Sequence, residues 1–241
     1  MTTSSRATIA RFYEQVDQAT HLDSYRGIPM LCVHGLHERI AEEATRLLRR
    51  GSRVLDVGCG RGALSLRLAD LGFQVDACDV YDHCQCKERV HFVQGTAEEV
   101  DLEGDYDAVF LVELLEHTEA PFAVIRRCRS LLKPGGLLFI STPNVDSDFS
   151  RAWFFLKGRH WYFEDSNLRN DGHITPIHRF QLEHVFRENG LEVLEDVRFA
   201  DRRRARPGLQ WLLVRLLKLL RRLGKRPDAG GEVTLQVVRR S

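Results

Sequence analysis

Glycines stand at positions 58, 60 and 62, directly after a short apolar run, Val54-Leu55-Asp56-Val57, that carries one acid near its end. Alternating glycines let a backbone adopt positive φ and let a ligand approach the main chain. The helical spacing of residues 63–71 then delivers free N–H groups at a helix N-terminus, which suits a carboxylate or a phosphate. Farther along the chain Glu113, Glu116 and His117 recur at i, i+3 and i+4. On a helix starting at residue 113 they share one face, where two carboxylates and an imidazole can hold a divalent cation or place a base. The plainer reading is a helix start with acids favoured by the dipole and a histidine against a pocket wall. A third grouping, His83-Cys84-Gln85-Cys86, offers zinc-type ligands, but no second CxxC or HxxxH pair completes a four-ligand set. A polar loop with reduced thiols is the preferred reading there.

The elements that must position these residues follow from hydrophobic periodicity. A helix is expected over about 35–49, with Leu36, Ile40, Ala44 and Leu47 or Leu48 on one face. Strands are expected at 53–57, 73–78, 90–94, 107–111, 137–141, about 191–198 and 232–239, alternating with helices through the fifth strand. That alternation implies a parallel sheet with crossovers, and a ligand site at the carboxyl edge of its strands. Ten residues separate Asp79 from Val90. This is close to the shortest parallel crossover, so the helix there must shrink to a turn or so. The string Gly58, Gly60, Ala63, with Asp79 closing the second strand, also satisfies the dinucleotide fingerprint, so a NAD enzyme is a competing reading.

Asp56, two residues before the first glycine, separates the two. So do the segments that follow: His91-Phe92-Val93-Gln94-Gly95-Thr96-Ala97-Glu98, Tyr106-Asp107-Ala108-Val109, Glu113-Leu114-Leu115-Glu116-His117 and Leu132-Lys133-Pro134-Gly135-Gly136. That order resembles the class I S-adenosylmethionine (SAM)-dependent methyltransferases over residues 35–200, in particular the ubiquinone-biosynthesis O-methyltransferases and the glycan-cluster methyltransferases. The resemblance implies a Rossmann-like α/β fold with a seven-stranded sheet, mostly parallel with an antiparallel last strand, and helices on both faces. It implies that Asp56, Gly58 and Gly60 surround the methionine part of SAM, that Asp79 binds the ribose, and that Thr96 and Ala97 lie beside the adenine. Cys59, Val80 and Val112 count among the cofactor-binding positions. Many relatives have an acid where this chain has Thr96, so an N6 contact falls to hydroxyl, backbone or Glu98.

The 113–117 string is similar to one in the ubiquinone enzymes. It is also similar to the Glu-Glu-His metal ligands of small-RNA 3′-terminal 2′-O-methyltransferases. The segment around His173 lacks the RNA family's pattern, which makes nucleic acid an unfavoured partner. The [DN]PP[YF] string of base and glutamine N-methylating enzymes is missing as well, so oxygen is the expected acceptor atom. The sulfonium of SAM is already activated, which leaves orientation and proton removal to the protein. His117 and His173 are the candidate bases, with Glu113 beside them. A divalent metal on Glu113, Glu116 and His117 is a secondary reading, not favoured. A non-catalytic SAM- or nucleotide-binding module is the alternative from another class.

A chain of 241 residues with 43% hydrophobic content can bury a full core. Six scattered cysteines and no signal-peptide pattern point to a reduced, cytoplasmic setting. Residues 1–34 are read as an N-terminal segment capping the substrate side, and 35–241 as the methyltransferase domain. Seven of the 21 aromatic residues, Phe149, Trp153, Phe154, Phe155, Trp161, Tyr162 and Phe163, cluster within an expected lid at 145–175. Aromatic faces suit sugars, quinones or acyl chains. A second insertion, 202–226, carries ten basic residues, whereas the chain outside residues 201–226 has 25 basic and 33 acidic ones. Within it Arg215, Lys218, Arg221 and Arg222 are expected on one helical face and Leu212, Leu213, Leu216, Leu219, Leu220 and Leu223 on the other. Such a helix fits a peripheral position on the inner membrane face, with Trp211 at headgroup level; packing on its own domain or a second subunit competes. The expected acceptor is a lipid-linked saccharide or similar small hydroxylated molecule, and a quinone or phenol is the runner-up. Oligomeric state is left open.

Overall fold

The computed structural model describes residues 23–100, 102–199, 209–224 and 230–241. Most of the N-terminal cap segment and the basic runs at 202–206 and 225–226 therefore lie outside the described residues.

Seven strands form one sheet: β3 (Arg53–Val57), β4 (Gln74–Asp79), β5 (His91–Gln94), β6 (Tyr106–Val112), β7 (Leu132–Pro143), β8 (Leu191–Phe199) and β9 (Val233–Arg240). Their order is β5-β4-β3-β6-β7-β9-β8, with β9 antiparallel to both neighbours and every other pairing parallel. A two-stranded hairpin, β1 (Ser24–Tyr25) and β2 (Ile28–Pro29), precedes it. The mostly parallel sheet with an antiparallel last strand is the architecture expected from the sequence.

Alternation along the strands assigns two cores. Val54, Ala108, Phe110, Leu137, Phe139, Leu235 and Val237 face α1 (Leu36–Leu47) and α2 (Ala63–Asp70). Leu55, Val109, Leu111, Leu138 and Ile140 face α3 (Pro121–Leu131) and α6 (Arg179–Glu188) on the other side. Because helices cover both faces, the central strands read as continuous apolar runs. Phe110 and Phe139 are register partners and stack at 4.5 Å, joining β6 to β7 inside the first core.

Residues 80–90 contain turns and no helix, as the short crossover requires. The expected lid holds α4 (Asp148–Lys157) and α5 (Asp165–Asn170). Ser147 caps α4 by accepting the Ser150 N–H, and Gly158 ends it at φ 70°. α7 (Leu209–Leu223) lies in the connection between β8 and β9 and packs against α4.

Candidate active site

The strand order reverses at β3, whose neighbours β4 and β6 lead to opposite edges of the sheet. A crevice opens at the carboxyl ends of such strands. A cavity of about 470 Å³ lies there, and it is lined by all nine residues to which the sequence assigned the cofactor: Asp56, Gly58, Cys59, Gly60, Asp79, Val80, Thr96, Ala97 and Val112.

The glycine loop is fixed from below. The N–H groups of Gly58 and Cys59 both donate to the Cys78 carbonyl, at 2.8 and 3.1 Å. Gly58 has φ 72°, and a Cβ built there falls 2.6 Å from the Leu114 side chain, so only glycine fits without displacing a cavity wall. Gly62 has φ 89° and is backed by the thiols of Cys84 and Cys86, which lie 3.7 Å apart. Cys84 and Cys86 of the string His83-Cys84-Gln85-Cys86 thus pack behind the loop, whereas His83 and Gln85 are exposed. Among the described residues the string belongs to no cluster of three metal-type ligands.

Asp79 closes β4 and accepts the Gly60 N–H on Oδ2 at 2.9 Å and the Tyr81 N–H on Oδ1 at 3.0 Å. Burial raises its pKa against those two hydrogen bonds. Asp56 accepts the Ser65 hydroxyl at 2.5 Å, and burial pushes its carboxyl up to about 7. Each carboxylate keeps lone pairs for a ligand's ammonium or hydroxyls, and the loop keeps room for main-chain approach, so the residues fit SAM. Thr96 accepts the Glu99 N–H on its hydroxyl. Glu98 also lines the cavity, as do Leu31, Cys32 and His37 from the segment preceding β3.

The 113–117 segment departs from the sequence reading. Glu113 sits at φ 50°, and the only helix here is a single 3-10 turn over Leu115–His117, so the three residues do not share one α-helical face. The cause is β7. The Glu113 N–H donates to Ser141 O and Oγ, and the Ser141 hydroxyl donates to Glu113 Oε1 at 2.8 Å. Thr142 Oγ1 donates to Glu116 Oε2 at 3.2 Å, whereas Glu116 Oε1 is buried with no partner. Burial pushes Glu113 up to about 7 and raises Glu116 further, with Glu113 adding to the latter.

His117 and His173 meet edge to face at 4.8 Å between ring centres. Nδ1 of His117 lies 3.3 Å from the Gly172 carbonyl, and Nδ1 of His173 lies 2.8 Å from the Tyr162 carbonyl. A carbonyl only accepts, so both Nδ1 atoms carry the proton and both Nε2 atoms present a lone pair. Burial, with the neighbouring His173, pushes His117 down to about 3; burial also lowers His173. Both rings are neutral at physiological pH. One ligand atom each from Glu116, His117 and His173 lies within 4.8 Å of the others, a set that could hold a divalent cation. Glu113, engaged with Ser141, stands outside it. Ser141 and Thr142, which orient both carboxylates, escaped the sequence reading; two hydroxyls ending an apolar strand were their signal.

The lid rings do not line the cavity. Phe149, Trp153 and Trp161 pack on one another at 4.9–6.0 Å, and Trp153 Nε1 donates to Glu164 at 2.6 Å. Phe149, Trp153 and Trp161 thus serve flap packing, whereas Phe154 and Phe155 are exposed.

Comparison with known proteins decides the family. The protein-family model for a methyltransferase domain matches residues 32–196. The chain is a class I SAM-dependent methyltransferase. It is 35% identical over 165 residues to the ubiquinone biosynthesis O-methyltransferase of Xanthomonas campestris pv. campestris, covering 60% of this chain and 67% of the relative. With the namesake from Xanthomonas euvesicatoria pv. vesicatoria it shares 42% over 128 residues, 48% of this chain and 54% of that one. Among solved structures, the 1,6-didemethyltoxoflavin-N1-methyltransferase of Burkholderia thailandensis superposes with a TM-score of 0.64 at 18% identity. That match covers 98% of this chain and 87% of the other. The [4+2]-cyclase SpnF superposes with a TM-score of 0.60 at 19% identity, covering 99% and 96%. The methyltransferase therefore shares its fold with a cyclase, and its acceptor has to be argued from its own residues.

Proposed function

We propose that this methyltransferase transfers the methyl group of SAM to a hydroxyl of a lipid-borne acceptor at an anionic membrane surface, with a lipid-linked saccharide as the first candidate. The observation that carries the reading is α7. Leu212, Leu216, Leu219, Leu220 and Leu223 are 49–72% exposed. Arg215, Lys218 and Arg222 are exposed beside them. α4, against which α7 packs, adds exposed Phe154, Phe155 and Leu156. Contiguous apolar exposure with interspersed cations is the composition of an interfacial helix, and no helix among the described residues is long and apolar enough to cross a membrane.

One detail of the sequence reading changes. Val214 is buried and Arg221 turns inward to pair with buried Asp148 at 3.0 Å, so α7 docks through 214, 217 and 221 and shows its leucines outward. Docking through that side leaves the leucine side of the helix for the proposed membrane contact. A quinol or phenol is the second reading, favoured by the name of the relatives in Xanthomonas.

At the reacting end, bound SAM supplies a methyl group on an electrophilic sulfonium. The chain supplies the Nε2 of His117, on the cavity wall, as acceptor for the hydroxyl proton, with His173 packed against its ring; Glu113, also on the wall, and buried Glu116 are held by Ser141 and Thr142.

Two measurements test the proposal. Labelled SAM added to a host extract is expected to label the lipid-extractable fraction; label confined to protein or RNA would overturn it. Wild-type enzyme is expected to sediment with anionic vesicles at low salt and to leave them as salt rises. Replacing Arg215, Lys218 and Arg222 by glutamate, with Arg221 spared, is expected to abolish sedimentation.

A further inference from the structure

A second cavity, of about 290 Å³, shares no lining residue with the cofactor cavity. Its floor is formed by the carboxyl ends of β7 and β8 and the amino-terminal half of antiparallel β9, from Thr142, Asp196, Thr234 and Gln236; α6, α4 and α7 wall it with arginines. Gln236 is 3% exposed, in the middle of β9, and its Oε1 has no hydrogen-bond partner. Asp196 Oδ1 is buried without a partner as well. A buried acceptor left unfilled is destabilising, so two of them lining one cavity mark a place where something brings donors.

The charges around them decide what that is. Arg151 pairs with Asp146 at 3.3 Å, Arg179 with Glu183 at 2.7 Å and Asp196 at 3.1 Å, Arg198 with Asp196 at 3.3 Å, and Arg221 with Asp148 at 3.0 Å. A phosphate or carboxylate would add acceptors beside two unfilled ones and would meet cations that are already neutralised. An ammonium would meet four guanidinium groups. A neutral molecule with several hydroxyls avoids both conflicts, donating to Gln236 Oε1 and Asp196 Oδ1 and accepting from guanidinium N–H. At the rim Phe180 is 66% exposed and stacks on His178, which leaves its other ring face open. An open aromatic face beside mixed donors and acceptors suits the C–H face of a sugar ring.

We propose that this cavity binds a neutral glycosyl unit. As an assignment to the saccharide part of the acceptor it rests on the proposed function above. The cavity adjoins the reactive turn through Thr142, which lines it and donates to Glu116. It also meets the outward-facing helix through Arg221. A quinol would have no use for it.

The test needs neither SAM nor lipid. Saturation-transfer NMR is run on the full chain with methyl α-glucoside, methyl α-rhamnoside and N-acetylglucosamine at millimolar concentration. Transfer to at least one sugar is expected. Gln236→Leu, and independently Phe180→Ala at the exposed rim, are expected to weaken it at least tenfold while SAM affinity stays within twofold of wild type. Inorganic phosphate at the same concentration is expected not to displace the sugar. Transfer to none of the sugars, undiminished transfer in both variants, or displacement by phosphate would overturn the inference. Absence of methyl transfer to a lipid-linked saccharide, with sugar binding intact, would count against the proposed function alone.

Discussion

The two halves of the active centre are built from different materials. The cofactor half is main chain: glycines at positive φ, two N–H groups anchored on Cys78, and an acid closing β4 that holds the Gly60 N–H. The acceptor half is side chain: two carboxyls and two imidazoles, Glu116 buried and the other three half-buried, all shifted away from their ionised forms. Main-chain geometry is set locally and binds a ligand common to a whole family. Buried side chains are set by distant partners and can differ from one acceptor to the next.

That contrast can be broken at either end. The largest effect belongs to the acceptor half: His117→Ala is expected to lower kcat by about 10²–10⁴, the usual scale of a lost general base, with SAM affinity unchanged. Equal losses in kcat and in SAM binding, seen by single-turnover kinetics and calorimetry, would mean the halves are not separable. In the cofactor half, Gly58→Val and Asp79→Ala are each expected to weaken SAM binding at least tenfold. For Gly58 the new Cβ meets Leu114 at 2.6 Å. NADH binding in place of SAM would overturn the assignment.

A subtler effect is pH. The Asp56 carboxyl, at about 7, must ionise to hold a cationic amino acid group. SAM affinity is therefore expected to fall by about tenfold from pH 7.5 to 6, the loss of ionised fraction for such a group, and Asp56→Asn is expected to flatten the slope. A wild-type affinity that is level across this range would remove Asp56 from that role. The smallest expected effect is that of exhaustive chelation, which should leave turnover within twofold. Collapse of activity would instead place a cation on Glu116, His117 and His173.

The same contrast explains what could be read from the sequence. Alternating glycines after an apolar strand, and acids at strand ends, carry their structural meaning within a few residues. The cofactor cavity was legible for that reason, as was the alternation of strands and helices that makes the sheet mostly parallel. Glu113 and Glu116 were read on a helix because their spacing allows it, but Ser141 and Thr142, 28 and 26 residues away, hold them and reduce the helix to one turn. Arg221 was read on the solvent face until Asp148, 73 residues away, turned it inward. Aromatic density announced a lid without saying that its rings would pack on each other. Periodicity reports which residues share a face; it does not report which neighbour that face will find.

The Glu116 carbonyl accepts the N–H groups of both Ile174 and Thr175, at 2.9 and 3.0 Å, which ties the segment leaving the flap to the reactive turn. Gly172 and His173 are the two residues just before that tie, so the carbonyl that sets the His117 tautomer and the ring that packs on His117 are both held at the reactive turn by main chain, whereas the Nδ1 proton of His173 is set by Tyr162, from the flap itself. Amide hydrogen exchange is expected to be slow at Ile174 and Thr175 and faster through α5.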